Sequence, residues 1–166
     1  MVIIGGADGP TSIHIASGMG WLNWFGLIIM VLLMLPNIVW AFRRRNEENR
    51  CTNRIINLLE QIGRYGCMLL MVFNIGVAEL GFASPESFAV YLGGNAVLLL
   101  LYWIFWIVLY KKSGAFPALM LAVLPALIFL LCGVTLRHWL LAGFGVLFGF
   151  AHSYVTVVNT KGNARI

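Results

Sequence analysis

Asp8 is the only formal charge in the first twenty residues, and it sits in the run GGADGPTS among three glycines, a proline and two hydroxyl side chains. Gly5, Gly6 and Gly9 open backbone torsions closed to other residues, so the chain can turn there and present its amides and carbonyls. Asp8, followed by Gly9 and Pro10, reads as a helix cap, with the proline in the first turn of a helix directed towards Ser17. Thr11 and Ser12 then offer hydroxyl oxygens within one turn of the carboxylate. A carboxylate, hydroxyls and free carbonyls at a helix terminus suit a hard cation such as sodium. The freed amides at the same helix start suit a carboxylate instead. The same residues also make an ordinary N-terminal turn and cap. If they form a cation site, its ligands are Asp8, Thr11, Ser12 and the backbone of Gly6 and Gly9.

The elements that must position such a site are membrane helices. The 166 residues are 61% hydrophobic and 10% charged, against roughly half apolar and a quarter charged in a soluble domain. Several apolar runs reach the ~20 residues needed to cross a ~30 Å hydrocarbon layer. We expect an all-α integral membrane protein with five transmembrane helices, at about Trp21–Phe42, Ile62–Phe82, Phe88–Tyr110, Phe116–Cys132 and His138–Val158. Residues 1–20 form a motif segment, and residues 21–166 form the bundle. Short loops predict antiparallel neighbours. Nine Lys and Arg residues (Arg43, Arg44, Arg45, Arg50, Arg54, Lys111, Lys112, Lys161, Arg165) fall on one side of these spans and Arg137 alone on the other. The positive-inside rule therefore gives N-terminus out and C-terminus in, with the plasma membrane of a bacterium as the expected location. The basic excess sits at helix ends, where it meets lipid headgroups, and does not point to nucleic acid.

Local signals refine this picture. Ser84-Pro85-Glu86-Ser87 reads as a helix start, with an N-cap serine, proline at the first position and an early acid. Glu47–Gln61 reads as a cytoplasmic interfacial helix, apolar at Ile55, Ile56, Leu58 and Leu59 and polar at Arg50, Arg54 and Glu60, with a bend at Gly63 and Gly66. Trp21, Trp24, Trp103, Trp106, Tyr110 and Trp139 read as an interfacial belt. Pro36 and Pro125 each interrupt a span. Gly145, Gly149 and Ser153 form a small-residue face that lets another helix approach closely. The first eighteen residues carry no Lys or Arg, so a cleavable signal peptide is not expected. Cys51, Cys67 and Cys132 lack metal-ligand or disulfide spacing.

Polar groups inside an apolar span are functional candidates by default. At 1.5 Å per residue, Asn74 and Asn95 come out near the midplane, Asn37 and His152 in the inner third, and Glu79 near the outer end of the second span. The competing reading makes the asparagines interhelical hydrogen-bond glue, Glu79 a solvated carboxylate, and His152 an imidazole held by a backbone carbonyl. No Ser/His/Asp or Cys/His set shares a depth with catalytic spacing, so an enzyme is not favoured, and no metal centre is expected.

The string IIGGADGPTSI, residues 3–13, resembles the signature stretch of the membrane-embedded beta subunit of the sodium-translocating, biotin-dependent decarboxylases. The resemblance is confined to this stretch. It implies a broken-helix segment within the membrane, with Asp8 as the sodium-binding carboxylate and Gly5, Gly6, Gly9, Pro10 and Thr11 shaping the loop. On this basis the chain is expected to bind or transport sodium, a small carboxylate, or both, with sodium as its only cofactor. Five helices make a thin wall, so a homo-oligomer is expected. The alternative is a non-transporting scaffold or accessory subunit that docks a membrane protein partner.

Overall fold

A computed structural model describes residues 21–43, 51–75, 81–111 and 114–163. They form five helices: α1 (Trp24–Arg43), α2 (Arg54–Val72), α3 (Pro85–Lys111), α4 (Ala115–Thr135) and α5 (Trp139–Asn163). Four of these, α2 to α5, are long and apolar enough to cross a membrane, and α1 contributes a shorter apolar stretch, Trp24–Val39. The outward faces are largely apolar: Ile28, Val31 and Ile38 on α1 and Val97, Leu100, Ile104 and Ile107 on α3 are exposed. A surface of this kind belongs in hydrocarbon, not water.

Where the helices begin follows from local chemistry. At α3 the expected start holds, with the Ser87 amide donating to the Ser84 hydroxyl at 3.2 Å and Pro85 opening the helix. At α2 the expectation fails. The helix begins at Arg54, capped by the Asn53 side chain, which accepts from the amides of Ile55 and Ile56. It ends at Val72, ten residues before the expected limit of Phe82. Residues 54–61 are therefore the first turns of the second long helix rather than a separate interfacial one. Its end is fixed by a two-residue ladder with the chain entering α1. The Asn23 amide donates to the Val72 carbonyl at 2.8 Å, and the Asn74 amide donates to the Trp21 carbonyl at 2.9 Å. The Val72 carbonyl, which a continuing helix would have used, is thus satisfied from outside. Gly63 and Gly66 cause no break. A Cβ at Gly63 would lie 2.9 Å from the Phe148 backbone, and one at Gly66 would lie 2.5 Å from the Phe144 ring, so both positions let α5 approach.

The helices are tied firmly at one end. The Leu22–Phe73 bridge joins α1 to α2, and the Trp21 and Phe73 rings stack at 5.4 Å. The Gly81 amide donates to the Leu136 carbonyl at 3.2 Å. Between α4 and α5 the chain reverses within three residues. The His138 amide reaches the Gly133 carbonyl at 2.7 Å and the Arg137 amide reaches the Val134 carbonyl at 3.2 Å, with Arg137 at φ 56°. That is a Schellman turn carrying arginine where glycine is usual. The other end of the bundle holds Arg43 closing α1, Arg54 opening α2, Lys111 closing α3 and Lys161 in the last turn of α5.

In lipid the helices gain nothing from expelling water from one another, so close packing must hold them. The small face of α5 serves this purpose within the chain: a Cβ at Gly149 would stand 3.0 Å from the Ala126 Cβ, and one at Gly145 would stand 3.2 Å from the Leu130 nitrogen, both on α4. The core runs through Leu33, Met71, Tyr102, Ile128, Phe129, Leu141 and Phe148. Pro36 lacks the amide that would bond the Leu32 carbonyl. The Trp103 indole donates to that carbonyl at 3.2 Å, so this tryptophan caps a proline gap in α1 in addition to lining the surface.

Candidate functional site

A cavity of about 380 Å³ lies within the bundle, walled by all five helices. Its apolar wall includes Met34, Met68, Leu121 and Phe129, and its polar wall consists of Asn37, Arg64, Tyr102 and His152. From the basic ends of α1, α2, α3 and α5 these four side chains lie roughly 9–16 Å along the helices, at 1.5 Å per residue.

Glu60 organises the polar wall from behind. Its side chain is only 8% exposed, whereas Arg64 is 43% and His152 24% exposed. Glu60 and Arg64 are one turn apart on α2, the spacing at which side chains meet, and the Arg64 guanidinium donates to Glu60 Oε1. His152 Nδ1 lies 2.8 Å from the same oxygen. An ionised carboxylate only accepts, so Nδ1 carries the hydrogen and Nε2 is left for other partners. Phe148 holds both side chains, its ring stacked on the His152 imidazole at 4.9 Å with the Arg64 guanidinium carbon 6.0 Å from its centroid.

Across the cavity, the Asn37 amide nitrogen donates to the Tyr102 hydroxyl at 2.8 Å and to the Leu33 carbonyl at 3.2 Å. The Tyr102 oxygen is thereby used as an acceptor, and its own hydrogen remains to donate. Pro125, opposite, leaves the Leu121 carbonyl without the amide one turn further along, and both residues line the cavity. Among the described residues, the lining holds a guanidinium, an imidazole, a phenol and an amide in an otherwise apolar chamber, and no carboxylate. Such a site suits a small solute with an anionic, hydrogen-bond-accepting head and a short apolar tail.

The intramembrane candidates separate clearly. Asn37 and His152 come together on this cavity, but Glu60 rather than a backbone carbonyl holds His152. Asn95 is buried elsewhere, donating to the Tyr91 carbonyl at 2.6 Å and accepting from the Cys132 thiol at 3.4 Å, as interhelical glue does. Asn74 lies past the end of α2, at the tied end of the bundle and not midway along a span with Asn95. Glu79, Asp8, Thr11, Ser12, Gly6 and Gly9 lie outside the described residues. Among the described residues, no three His, Cys, Asp or Glu side chains converge as a metal ion would require. The three cysteines are buried and form no disulfide.

Sequence reasoning missed Glu60, Arg64 and Tyr102 as site residues. It placed Glu60 on the polar face of an interfacial helix. The available signal was the Glu60-x-x-x-Arg64 spacing, which makes an internally neutralised pair that can enter an apolar bundle. His138 and Asn23 were also missed, and both prove structural. His138 Nδ1 caps α5 by accepting from the Leu141 amide at 2.9 Å, while Nε2 donates to the Ile75 carbonyl at 2.8 Å. Asn23 accepts from the Gly26 amide at 3.0 Å at the start of α1. No protein-family model, curated protein or solved structure matches the chain.

Proposed function

We propose that the chain is a small polytopic membrane protein that binds and transports a small monocarboxylate in its bundle, with sodium on the Asp8 segment as the companion ion. In this reading all five helices span the bilayer, N-terminus out and C-terminus in, in the plasma membrane of a bacterium. A homo-oligomer completes the thin wall. The observation that carries the reading is the placement of Arg64 and His152, beside the neutral Asn37 and Tyr102, on a cavity otherwise lined by apolar side chains. A cationic group facing a chamber in hydrocarbon is costly unless it is paired or serves a ligand. Glu60 pairs with Arg64 on one side, leaving donors free on the other. Sodium is supported by the carboxylate, hydroxyls and glycines of GGADGPTS and by their likeness to the decarboxylase motif. The basic residues at one end of the bundle support the orientation.

The test is the thermal stability of the purified protein in detergent, in sodium against potassium at equal ionic strength, with and without butyrate. A ligand that binds only the folded protein adds about 2.7 kcal/mol at a hundredfold excess over Kd. The reading expects a rise with butyrate and a sodium-specific rise that Asp8→Asn removes. Superimposable curves in all conditions would defeat it and favour the scaffold that docks a membrane partner.

A further inference from the structure

We infer that the cavity takes up its carboxylate together with one proton, held by the Glu60–His152 pair. The inference rests on the carboxylate reading above and adds its energetic coupling. Glu60 and Arg64 form a one-to-one ion pair that cancels inside an apolar bundle, so the pair offers no net positive charge to an incoming anion. An entering carboxylate would bring an uncompensated negative charge into a region where burying charge is expensive. One added proton restores neutrality. His152 is built to accept it: Nδ1–H already points to Glu60 Oε1 at 2.8 Å, so the proton enters at Nε2 and the imidazolium keeps its carboxylate partner. Stacking on Phe148 holds the ring for this purpose.

Among the described residues, no other group competes for the role. From α2, Glu60 and Arg64 are the charged groups at His152. From α4, which packs along α5, there is no acidic or basic residue in the whole helix. From α3 the cavity receives Tyr102 and from α1 the neutral Asn37. Because the proton and the carboxylate enter together, carboxylate binding weakens as the pH rises and protons become scarce. The proton belongs to the coupled pair rather than to one atom alone.

The experiment is calorimetric titration of the purified protein with butyrate at about pH 7.5, where a free imidazole is largely neutral, in two buffers of different ionisation enthalpy. The difference in heat counts the protons taken up. The expected count is about one per butyrate, with the apparent Kd weakening about tenfold per pH unit on the alkaline side. Glu60→Gln leaves Arg64 unbalanced, so a carboxylate binds without a proton and the count falls to about zero. Should that variant not fold, the native count still decides. Butyrate binding with no proton uptake would overturn the coupling and leave the carboxylate reading standing. No binding in either buffer at about pH 6 or about pH 7.5 would overturn both.

Discussion

The two ends of the bundle use buried polar groups in opposite ways. At the tied end, Asn23, His138 and the backbone of Phe73 and Asn74 bond to neighbouring main chain, and both His138 nitrogens are occupied. Asn95 and Cys132 likewise bond to one another between α3 and α4. Towards the basic end, Arg64 and His152 share one carboxylate oxygen and keep donor capacity that faces a cavity. Polar groups satisfied on every side hold helices together, whereas groups satisfied on one side only are available to a solute. Burial alone does not separate the two cases; the direction of the remaining valence does.

The comparison can be strained from both sides. The largest effect is expected at Glu60→Met, which leaves Arg64 without its counter-ion. We expect a loss of roughly 3 kcal/mol in unfolding measurements, the low end for a broken buried pair because Arg64 is partly exposed. Adding Arg64→Met should restore much of that stability while abolishing the butyrate response. At the tied end, Gly26→Ala would put a Cβ 2.0 Å from the Met71 carbonyl oxygen. The cost of forcing α1 away from α2 there is about 2 kcal/mol, and the butyrate shift should survive. The smallest effect is a gain. Arg137 sits at φ 56°, a torsion glycine adopts freely, so Arg137→Gly should raise stability by about 0.5–1 kcal/mol with ligand response unchanged. A tied-end substitution that altered ligand response as much as one at Glu60 would erase the distinction.

Much of the fold is legible in the sequence because a membrane helix is a length of apolar chain. The Ser84-Pro85 start and the helices after it stand close to where composition and caps place them. The second helix is misplaced for a physical reason. Glu60 and Arg64 lower the hydropathy of residues 54–64, so the segment reads as interfacial until their mutual pairing is seen. The same masking hides the site. His152 meets Glu60 across 92 residues of chain, a separation at which no local spacing can announce a contact. Asn37 and His152 are recognisable as polar groups at a shared depth, but depth does not separate a cavity-lining group from one such as Asn95, which bonds to Tyr91 and, between helices, to Cys132. Trp103 teaches the same lesson, since its indole answers a carbonyl freed by Pro36 on another helix.

The central claim, that solute occupies the cavity among Asn37, Arg64, Tyr102 and His152, is tested most directly by site-specific protection. Asn37→Cys places a thiol on the cavity wall, and Val97→Cys places one on the exposed outer face of α3. The measurement is the rate at which a small methanethiosulfonate modifies each variant in detergent, with and without butyrate. The account predicts that butyrate slows modification at position 37 severalfold and leaves position 97 unchanged, while the neutral butyramide protects neither. Equal rates at position 37 with and without butyrate, at concentrations that stabilise the native protein, would contradict it.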